Sequence, residues 1–447
     1  MLLVQDANMN LLFIIKRTII SSFFVIMELV KNMTKKDEKI ALKDIIILLI
    51  IGLVIWYFVE PNSFHKTFSF LNSKSEEKEK NKVEKTRTIL VYMSPSNLES
   101  EHGVASNDLR AVSVSEFDFD HNELVVMAGG SNSWSNGFSK EAKIYHFTRE
   151  GKYDVVDQCY GHQNMGDAST LSYFLDYGKE HYQSDEYIVY LYGHGYGIDG
   201  LLPDEVYDDG LSLKELNTGF TNSKLGYPNK TDLIISNSCL IGTIETLENL
   251  SYHGKYAITS EEVGWSITRY PLFKMFNELK PDKDLVKFSE EYIDYYKESV
   301  KDIKDDTTMT LVDLGEIKNL YDKVNTLFGG IYVRGYYDPI KKFRSKTHQI
   351  ANDEILDEVD LLTAMEQFSL FYPKMDYAEY RKQFEKTILY RYSSTYYLSG
   401  ISIWFPYYNP NYEGDYYIGN EYLYEAGSGY RNFVTEFMRL QKEEYGF

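Results

Sequence analysis

Glu186-Tyr187-Ile188-Val189-Tyr190-Leu191-Tyr192-Gly193-His194-Gly195 and Asp232-Leu233-Ile234-Ile235-Ser236-Asn237-Ser238-Cys239-Leu240-Ile241-Gly242 are the two stretches on which the fold turns. Each is an apolar run of strand length that closes on small or polar residues and then presents one reactive side chain. Continuous rather than alternating apolar runs belong to strands covered on both faces, as in parallel sheets. Open α/β sheets place their sites at the carboxyl ends of such strands. An imidazole and a thiol delivered there form a nucleophile and a base in outline.

The surrounding pattern agrees. Strand-like runs occur at Thr88–Met93, Glu123–Ala128, Ile144–Phe147 (a short edge strand), Tyr187–Tyr192, Leu233–Ser236 and Tyr256–Ser260. Leu171, Phe174, Leu175 and Tyr177 repeat at helical spacing and predict a helix from Ala168 to Tyr182, with Asp167 or Ser169 as its N-cap. A second helix is predicted over Ile241–Leu250. Strands alternating with helices imply an α/β fold with a mostly parallel sheet. After Pro271 the chain reads as mostly helical up to a strand at Met309–Asp313. Residues 316–394 read as helical with breaks, Gly400–Pro406 as a strand, and Tyr430–Leu440 as a closing helix.

Composition narrows the function. The chain has 447 residues, 43% of them hydrophobic, with a formal charge of −20. That charge excludes nucleic acid as the expected partner, because phosphate binding needs clustered Lys and Arg. The two cysteines, Cys159 and Cys239, exclude a disulfide scaffold and leave a single bridge as the alternative to a free thiol. Tyrosine is abundant, at 40 residues, and points to aromatic packing.

Ahead of the α/β region lies an uncharged run, Ile45–Val59, short of the roughly 20 residues that usually span a membrane. Lys43 and Asp44 at its start and Trp56, Tyr57 and Phe58 near its end suit the two interfaces. A signal peptide is the rival reading, but no small-x-small cleavage site follows in Glu60-Pro61-Asn62-Ser63-Phe64. The expectation is a single-pass anchor over 45–59. Lys35, Lys36, Lys39 and Lys43 outnumber Lys66 and Lys74, which keeps residues 1–44 inside and the rest of the chain extracellular. Residues 1–32 are expected to precede a true start at Met33. Residues 60–87 are rich in charge and read as a flexible linker, with the folded domain spanning 88–447.

In chemical terms, Cys239 is a candidate nucleophile and His194 a candidate proton carrier. The amides of Gly195 and Cys239 are candidate oxyanion donors. A helix starting at Leu240 or Ile241 would favour the thiolate through its positive end. Both residue types have plainer uses: a cysteine at a buried strand end fills space, and a histidine between glycines makes a turn. His162, His181 and His253 stand in polar surroundings and read as exposed.

Taken together, these residues resemble the clostripain family of cysteine peptidases, relatives of caspases, gingipains and legumain. The family pattern is a strand ending in His-Gly, then a strand ending in Asp-Ala-Cys-Leu-Met-Gly with a Glu soon after. This chain carries Gly193-His194-Gly195 and Asn237-Ser238-Cys239-Leu240-Ile241-Gly242, then Glu245. Thr88–Met93, Asn164–Leu171, Leu211–Leu216, Ser260–Trp265 and Gly400–Pro406 resemble further family segments in the same order.

The resemblance implies a caspase-like α/β/α sandwich with a helical C-terminal extension. Cys239 would be the nucleophile, His194 the general acid/base, and Gly195 and Cys239 the oxyanion donors, with no third catalytic residue and no required cofactor. It implies protein or peptide substrates cut after Arg or Lys, in a pocket lined by acidic residues. Here Asn237 stands where the family has Asp. A charge-assisted hydrogen bond is worth about 1.5–3 kcal/mol, so its loss weakens basic preference roughly tenfold or more. Glu261 and Glu262 are the candidate substrate-binding replacements.

Some relatives self-cleave between the His and Cys segments, where Lys214, Lys224 and Lys230 lie. Some use calcium; Asp204, Glu205, Asp208 and Asp209 share one loop, without EF-hand spacing. No zinc-ligand cluster is legible. The expected function is a membrane-tethered extracellular cysteine endopeptidase. The alternatives are a catalytically inactive relative that binds peptides at the surface and a transferase or ligase built on the same dyad.

Overall fold

All eight residues of Arg87–Ser94 (β1) and all eight of Glu186–Gly193 (β5) are buried, which an alternating sequence could not achieve. Their side chains divide between the two faces of the sheet. Leu90, Tyr92, Val189 and Leu191 enter one core, whereas Ile89, Val91, Met93, Ile188, Tyr190 and Tyr192 enter the other. Burying each large apolar side chain contributes about 1.5–3 kcal/mol. The computed structural model describes residues 84–446, apart from 113–115, 150–151, 265–270, 353–356, 373 and 408–427. The expected anchor at 45–59 and most of the expected linker lie outside those residues. Among the described residues no helix is long and apolar enough to cross a membrane.

In chain order, β1 is followed by α1 (Asn97–Ser100), α2 (Val104–Leu109), β2 (Asn122–Ala128), β3 (Lys143–Phe147), β4 (Tyr153–Asp157) and α3 (Ala168–His181), which leads into β5. A small hairpin, β6 (Leu201–Asp204) and β7 (Asp209–Leu211), then α4 (Leu213–Thr221), β8 (Thr231–Asn237), α5 (Ile244–Ser251) and β9 (Gly254–Thr259) come next. The second half comprises α6 (Leu285–Val300), β10 (Thr308–Asp313), α7 (Leu314–Gly329), α8 (Val333–Arg344), β11 (Glu358–Asp360), α9 (Leu361–Phe371), α10 (Tyr377–Thr387), β12 (Ile388–Ser393), β13 (Ser402–Trp404) and α11 (Gly429–Tyr445).

The main sheet has nine strands in the order β12-β10-β9-β8-β5-β1-β2-β3-β4. Its centre, from β2 to β9, is parallel, and antiparallel strands close both edges. Helices α3, α4, α5 and α7 cover one face through residues such as Phe174, Phe220, Leu247 and Leu320. Helices α2 and α6 and the short turn Leu272–Glu278 cover the other, with Leu109, Phe273, Phe276 and Tyr292. The expected α/β/α sandwich with a largely parallel sheet is therefore the observed architecture. The chain places β2 on one side of β1 and β5 on the other, so strand order reverses at β1, the kind of position at which open α/β sheets place their sites.

The tyrosines have a structural use. Tyr190 and Tyr292 hydroxyls meet at 2.9 Å, and the Tyr192 hydroxyl donates to Asp108 at 2.8 Å, so each buried ring keeps a partner for its polar tip.

Several expectations need correction. β1 begins at Arg87, not Thr88, because the Arg87 guanidinium is buried against Glu186 at 2.9 Å. Ile144–Phe147 is not the edge; β4 pairs outside it. Residues 388–393, read as helical, form edge strand β12. The Gly400–Pro406 run yields only Ser402–Trp404 as strand, and this pairs with β11 in a separate two-stranded sheet. Of the two residues offered as the α3 N-cap, Asp167 serves, accepting the Ser169 amide at 2.6 Å.

Candidate active site

β5 and β8 pair in parallel up to Tyr192↔Asn237, and His194 and Cys239 each stand two residues beyond that last pair. Adjacent strands lie about 4.8 Å apart, so the two turns leave the sheet side by side. Their closest approach explains Gly195. A Cβ built there would lie 2.1 Å from the Cys239 carbonyl oxygen and 3.0 Å from Ser238 Cβ. Glycine is needed at this position for room between the two turns.

His194 is half-buried, and its Nε2 lies 2.7 Å from Asn97 Oδ1. An amide oxygen accepts, so the ring donates from Nε2 and Nδ1 is left as the proton acceptor. Burial holds the imidazole pKa below its ordinary value. Asn97 opens α1 just past the end of β1, and the adjacency of β1 and β5 brings it here. The Tyr196 ring lies 6.2 Å from His194 and is largely exposed beside the dyad.

The Cys239 thiol donates to the Gly264 carbonyl at 3.6 Å. Its turn is held by main chain: Leu240 N–H donates to Glu262 O at 3.2 Å, Gly242 N–H to Ser260 O at 2.7 Å, and Ser402 N–H to Gly242 O at 3.0 Å. Leu240 sits in the left-handed region, at φ 63°, where the chain reverses out of β8. The Gly400–Pro406 segment thus braces the Cys239 turn from outside the main sheet. Helix α5 starts only at Ile244, with Thr243 Oγ1 accepting the Thr246 amide at 3.0 Å. The expected helix start at Leu240 or Ile241 is therefore corrected. Burial, with the nearby charge of Glu262 adding to it, raises the Cys239 thiol pKa above its ordinary value.

The acidic candidates separate. Glu261 is fully buried, its Oε1 accepts the Gly400 amide at 2.6 Å, and burial followed by the Asp360 charge drives its pKa well up. Its carboxyl is not brought to the cleft. Glu262 is 3% exposed and accepts the Ala351 amide at 3.1 Å. Asn237 ends β8, half-buried and next to the Cys239 turn. Glu245 is fully buried and accepts the Trp404 amide at 3.2 Å. Glu358, raised well above the carboxylate range by burial and then by Glu245, accepts the Ile198 amide at 3.1 Å and so braces the loop after His194.

The remaining candidate residues also have defined places. Cys159 and Cys239 are both free thiols, and Cys159 is fully buried, its pKa raised by burial to about 12. His253, expected to be exposed, is buried. Its Nε2 meets Asn217 Oδ1 at 2.7 Å, it stacks on Phe220, and burial lowers its pKa to about 4. In the acidic loop, Asp204 accepts the Met165 and Val206 amides, each at 2.8 Å, and Asp209 accepts Asn164 Nδ2 at 2.6 Å, so these carboxylates brace the hairpin. Lys224 pairs with Glu180, and Lys230 Nζ donates to Ser251 O at 2.6 Å.

Comparison with known proteins places the chain in a family. The sequence profile of the clostripain family matches residues 91–444. Among solved structures, the chain is similar to an inactive zymogen C11 protease from Parabacteroides distasonis, with a TM-score of 0.59, 18% identity, and coverage of 75% of this chain and 96% of that one. It is also similar to a secreted C11 cysteine protease from Bacteroides thetaiotaomicron held with an irreversible peptide inhibitor, with a TM-score of 0.53, 16% identity, and coverage of 71% and 92%. At these identities the two structures show a shared fold. No curated protein matches the chain. With the family profile spanning most of the sequence, the chain belongs to the clostripain family and is a cysteine peptidase.

Proposed function

We propose that this chain is a membrane-tethered, extracellular endopeptidase that hydrolyses peptide bonds with a Cys239/His194 dyad. The observation that carries the reading is the shared register of β5 and β8, which sets His194 and Cys239 at matching positions beyond Tyr192 and Asn237. Substrate binding displaces the thiol from the Gly264 carbonyl. His194 Nδ1 takes the thiol proton, and the thiolate adds to the scissile carbonyl carbon. The Gly195 and Cys239 amides receive the oxyanion. His194 then returns the proton to the leaving amine, the C–N bond breaks, and water hydrolyses the acyl-thioester by the same route in reverse.

The preferred residue before the cut is Lys or Arg, more weakly than a pocket with Asp would impose, because Asn237 offers an amide dipole in place of a charge. Glu261 and Glu262 are buried and each bonded to a main-chain amide, whereas Asn237 ends β8 half-buried, two residues before Cys239. Tethering rests on the uncharged run 45–59 and on its flanking lysines.

The test is a peptide-library digest by wild type beside Cys239→Ala, read by mass spectrometry. Cleavage after Lys and Arg, with some leakage to other residues and none in the variant, is the expected result. Cleavage unbiased at that position would remove the basic preference. For the tether, membrane fractionation of the full chain and of a chain lacking 45–59 is decisive: equal partition of both would remove the anchor.

A further inference from the structure

Glu262, Asp306 and His348 come from three distant segments: the loop after β9, the approach to β10 and the stretch after α8. The structure gathers one ligand-type atom from each within 4.8 Å of the others. His348 Nε2 lies 3.8 Å from Glu262 Oε1 and 3.6 Å from Asp306 Oδ2. These separations are too long for hydrogen bonds. Two ligands on one ion at metal–ligand distances of about 2.0–2.2 Å stand roughly 3–4 Å apart, which matches them. The Nε2 atom is sealed from solvent and finds no hydrogen-bond partner among the described residues. Buried polar atoms are almost always satisfied, so an orphaned imidazole nitrogen facing two carboxylates points to a missing ligand.

The two carboxylates are already aimed. Asp306 Oδ2 accepts the Tyr397 hydroxyl at 2.9 Å, and the Tyr397 ring lies 4.6 Å from that of His348. Glu262 accepts the Ala351 amide on both oxygens at 3.1 Å and the Val263 amide at 3.2 Å. Ala351 donates from φ 56°, a strained angle for alanine. Outer partners of this kind orient metal ligands. The Asp306 and His348 side chains keep 21% and 26% exposure, which leaves an entry path, while Glu262 forms the floor at 4%.

We propose that Glu262, Asp306 and His348 bind one divalent transition-metal cation of the zinc type at a site separate from the His194/Cys239 dyad. One imidazole with two carboxylates suits Zn²⁺ and its neighbours. Calcium takes six to eight oxygens and is not the ion expected here. The site has a mechanical link to catalysis. Glu262 O receives Leu240 N–H, and Gly264 O receives the thiol, so an ion on the Glu262 carboxylate ties that loop to the 348–351 segment.

The test uses the full chain carrying Cys239→Ala, so that the nucleophile cannot itself bind metal, titrated with Zn²⁺ and separately with Ca²⁺ by isothermal calorimetry. The expected result is one Zn²⁺ bound per chain, at least tenfold weaker binding after His348→Ala or Asp306→Asn, and no Ca²⁺ binding weakened by the same substitutions. Circular dichroism melts verify that each variant folds. Should His348→Ala unfold, His348→Gln replaces it, and visible absorption of bound Co²⁺ reports whether nitrogen ligation is lost. Absence of Zn²⁺ binding, Zn²⁺ affinity unchanged in both variants, or Ca²⁺ bound through these residues as tightly as Zn²⁺ would each overturn the proposal.

Discussion

The turn that carries His194 is braced by main chain and side chains together, with Leu202 N–H donating to His194 O at 2.8 Å and Tyr196 N–H to Gly200 O at 2.9 Å, whereas the turn that carries Cys239 is braced by main chain. Asn97 Oδ1 holds the imidazole, and the buried carboxyl of Glu358 holds the Ile198 amide just beyond it. On the cysteine side, Ser260, Glu262 and Ser402 contribute backbone groups alone. The difference matters for mutability. One substitution deletes a side-chain brace, whereas a main-chain brace yields only when a whole segment moves. Proton transfer needs the imidazole pinned in one tautomer, which a side-chain partner can select. The nucleophile needs its amide and thiol in a fixed relation, which main-chain bonds secure more tightly.

The comparison breaks most severely where the two turns touch. Gly195→Ala pushes a methyl into the Cys239 carbonyl oxygen, now 2.1 Å from the position of that Cβ. A displacement of about 1 Å costs roughly 100-fold in rate, so kcat/KM on a fluorogenic peptide is expected to fall by that order while the protein still folds. Glu358→Ala comes next. It leaves the Ile198 amide unsatisfied, which costs about 1–3 kcal/mol. Denaturant melts are expected to show that loss, and Glu358→Gln, which keeps an acceptor, is expected to restore it.

Asn97→Ala has a smaller effect, roughly tenfold in kcat with KM nearly unchanged, since it removes tautomer selection and leaves the dyad in place. In wild type the acid limb of kcat/KM is expected below the ordinary imidazole value of about 6.5, because burial lowers the His194 pKa.

The smallest effect is on stability against pH. The folded-state pKa of Glu261 lies above its unfolded value. Its contribution is therefore fully present below the ordinary carboxylate range and is lost as pH rises through the folded value. Glu261→Gln retains an acceptor for Gly400 and removes the ionisation. Thermal melts of this variant are expected to lose part of the decline in Tm expected of wild type as pH rises above the ordinary carboxylate range; an unchanged decline would remove Glu261 as its source.

Much of this was legible in the sequence. Runs such as Ile188–Leu191 and Leu233–Ile235 are apolar at every position, and only a strand covered on both faces calls for that. The His-Gly and Cys-x-x-Gly endings followed from the same runs. Elements without such a signature were not legible. β4 has Asp at two of its five positions and buries none of them, because an edge strand has one open side, and β12 alternates only from Tyr390 to Ser393, within a helical context. Asn97 is an ordinary polar residue until β1 and β5 are known to be neighbours.

The buried acids were least visible. Glu245, Glu261 and Glu358 look like surface residues in a chain of net charge −20, yet each accepts a main-chain amide in the interior. His253 misled for the same reason, since polar neighbours in sequence need not be neighbours in space. The gathering of Glu262, Asp306 and His348 depends on three separate connections and has no local pattern at all.

The central claim is that Cys239 and His194 act as one dyad. The most direct measurement is single-turnover cleavage of a Lys-containing peptide by wild type, Cys239→Ala, His194→Ala and the double variant, with acyl-enzyme trapping followed by intact mass. A working dyad predicts loss of roughly 1,000-fold or more in each single variant, no further loss in the double, and an adduct on Cys239 in wild type alone. Residual cleavage in Cys239→Ala near the wild-type rate, or an adduct formed at another residue, would contradict it.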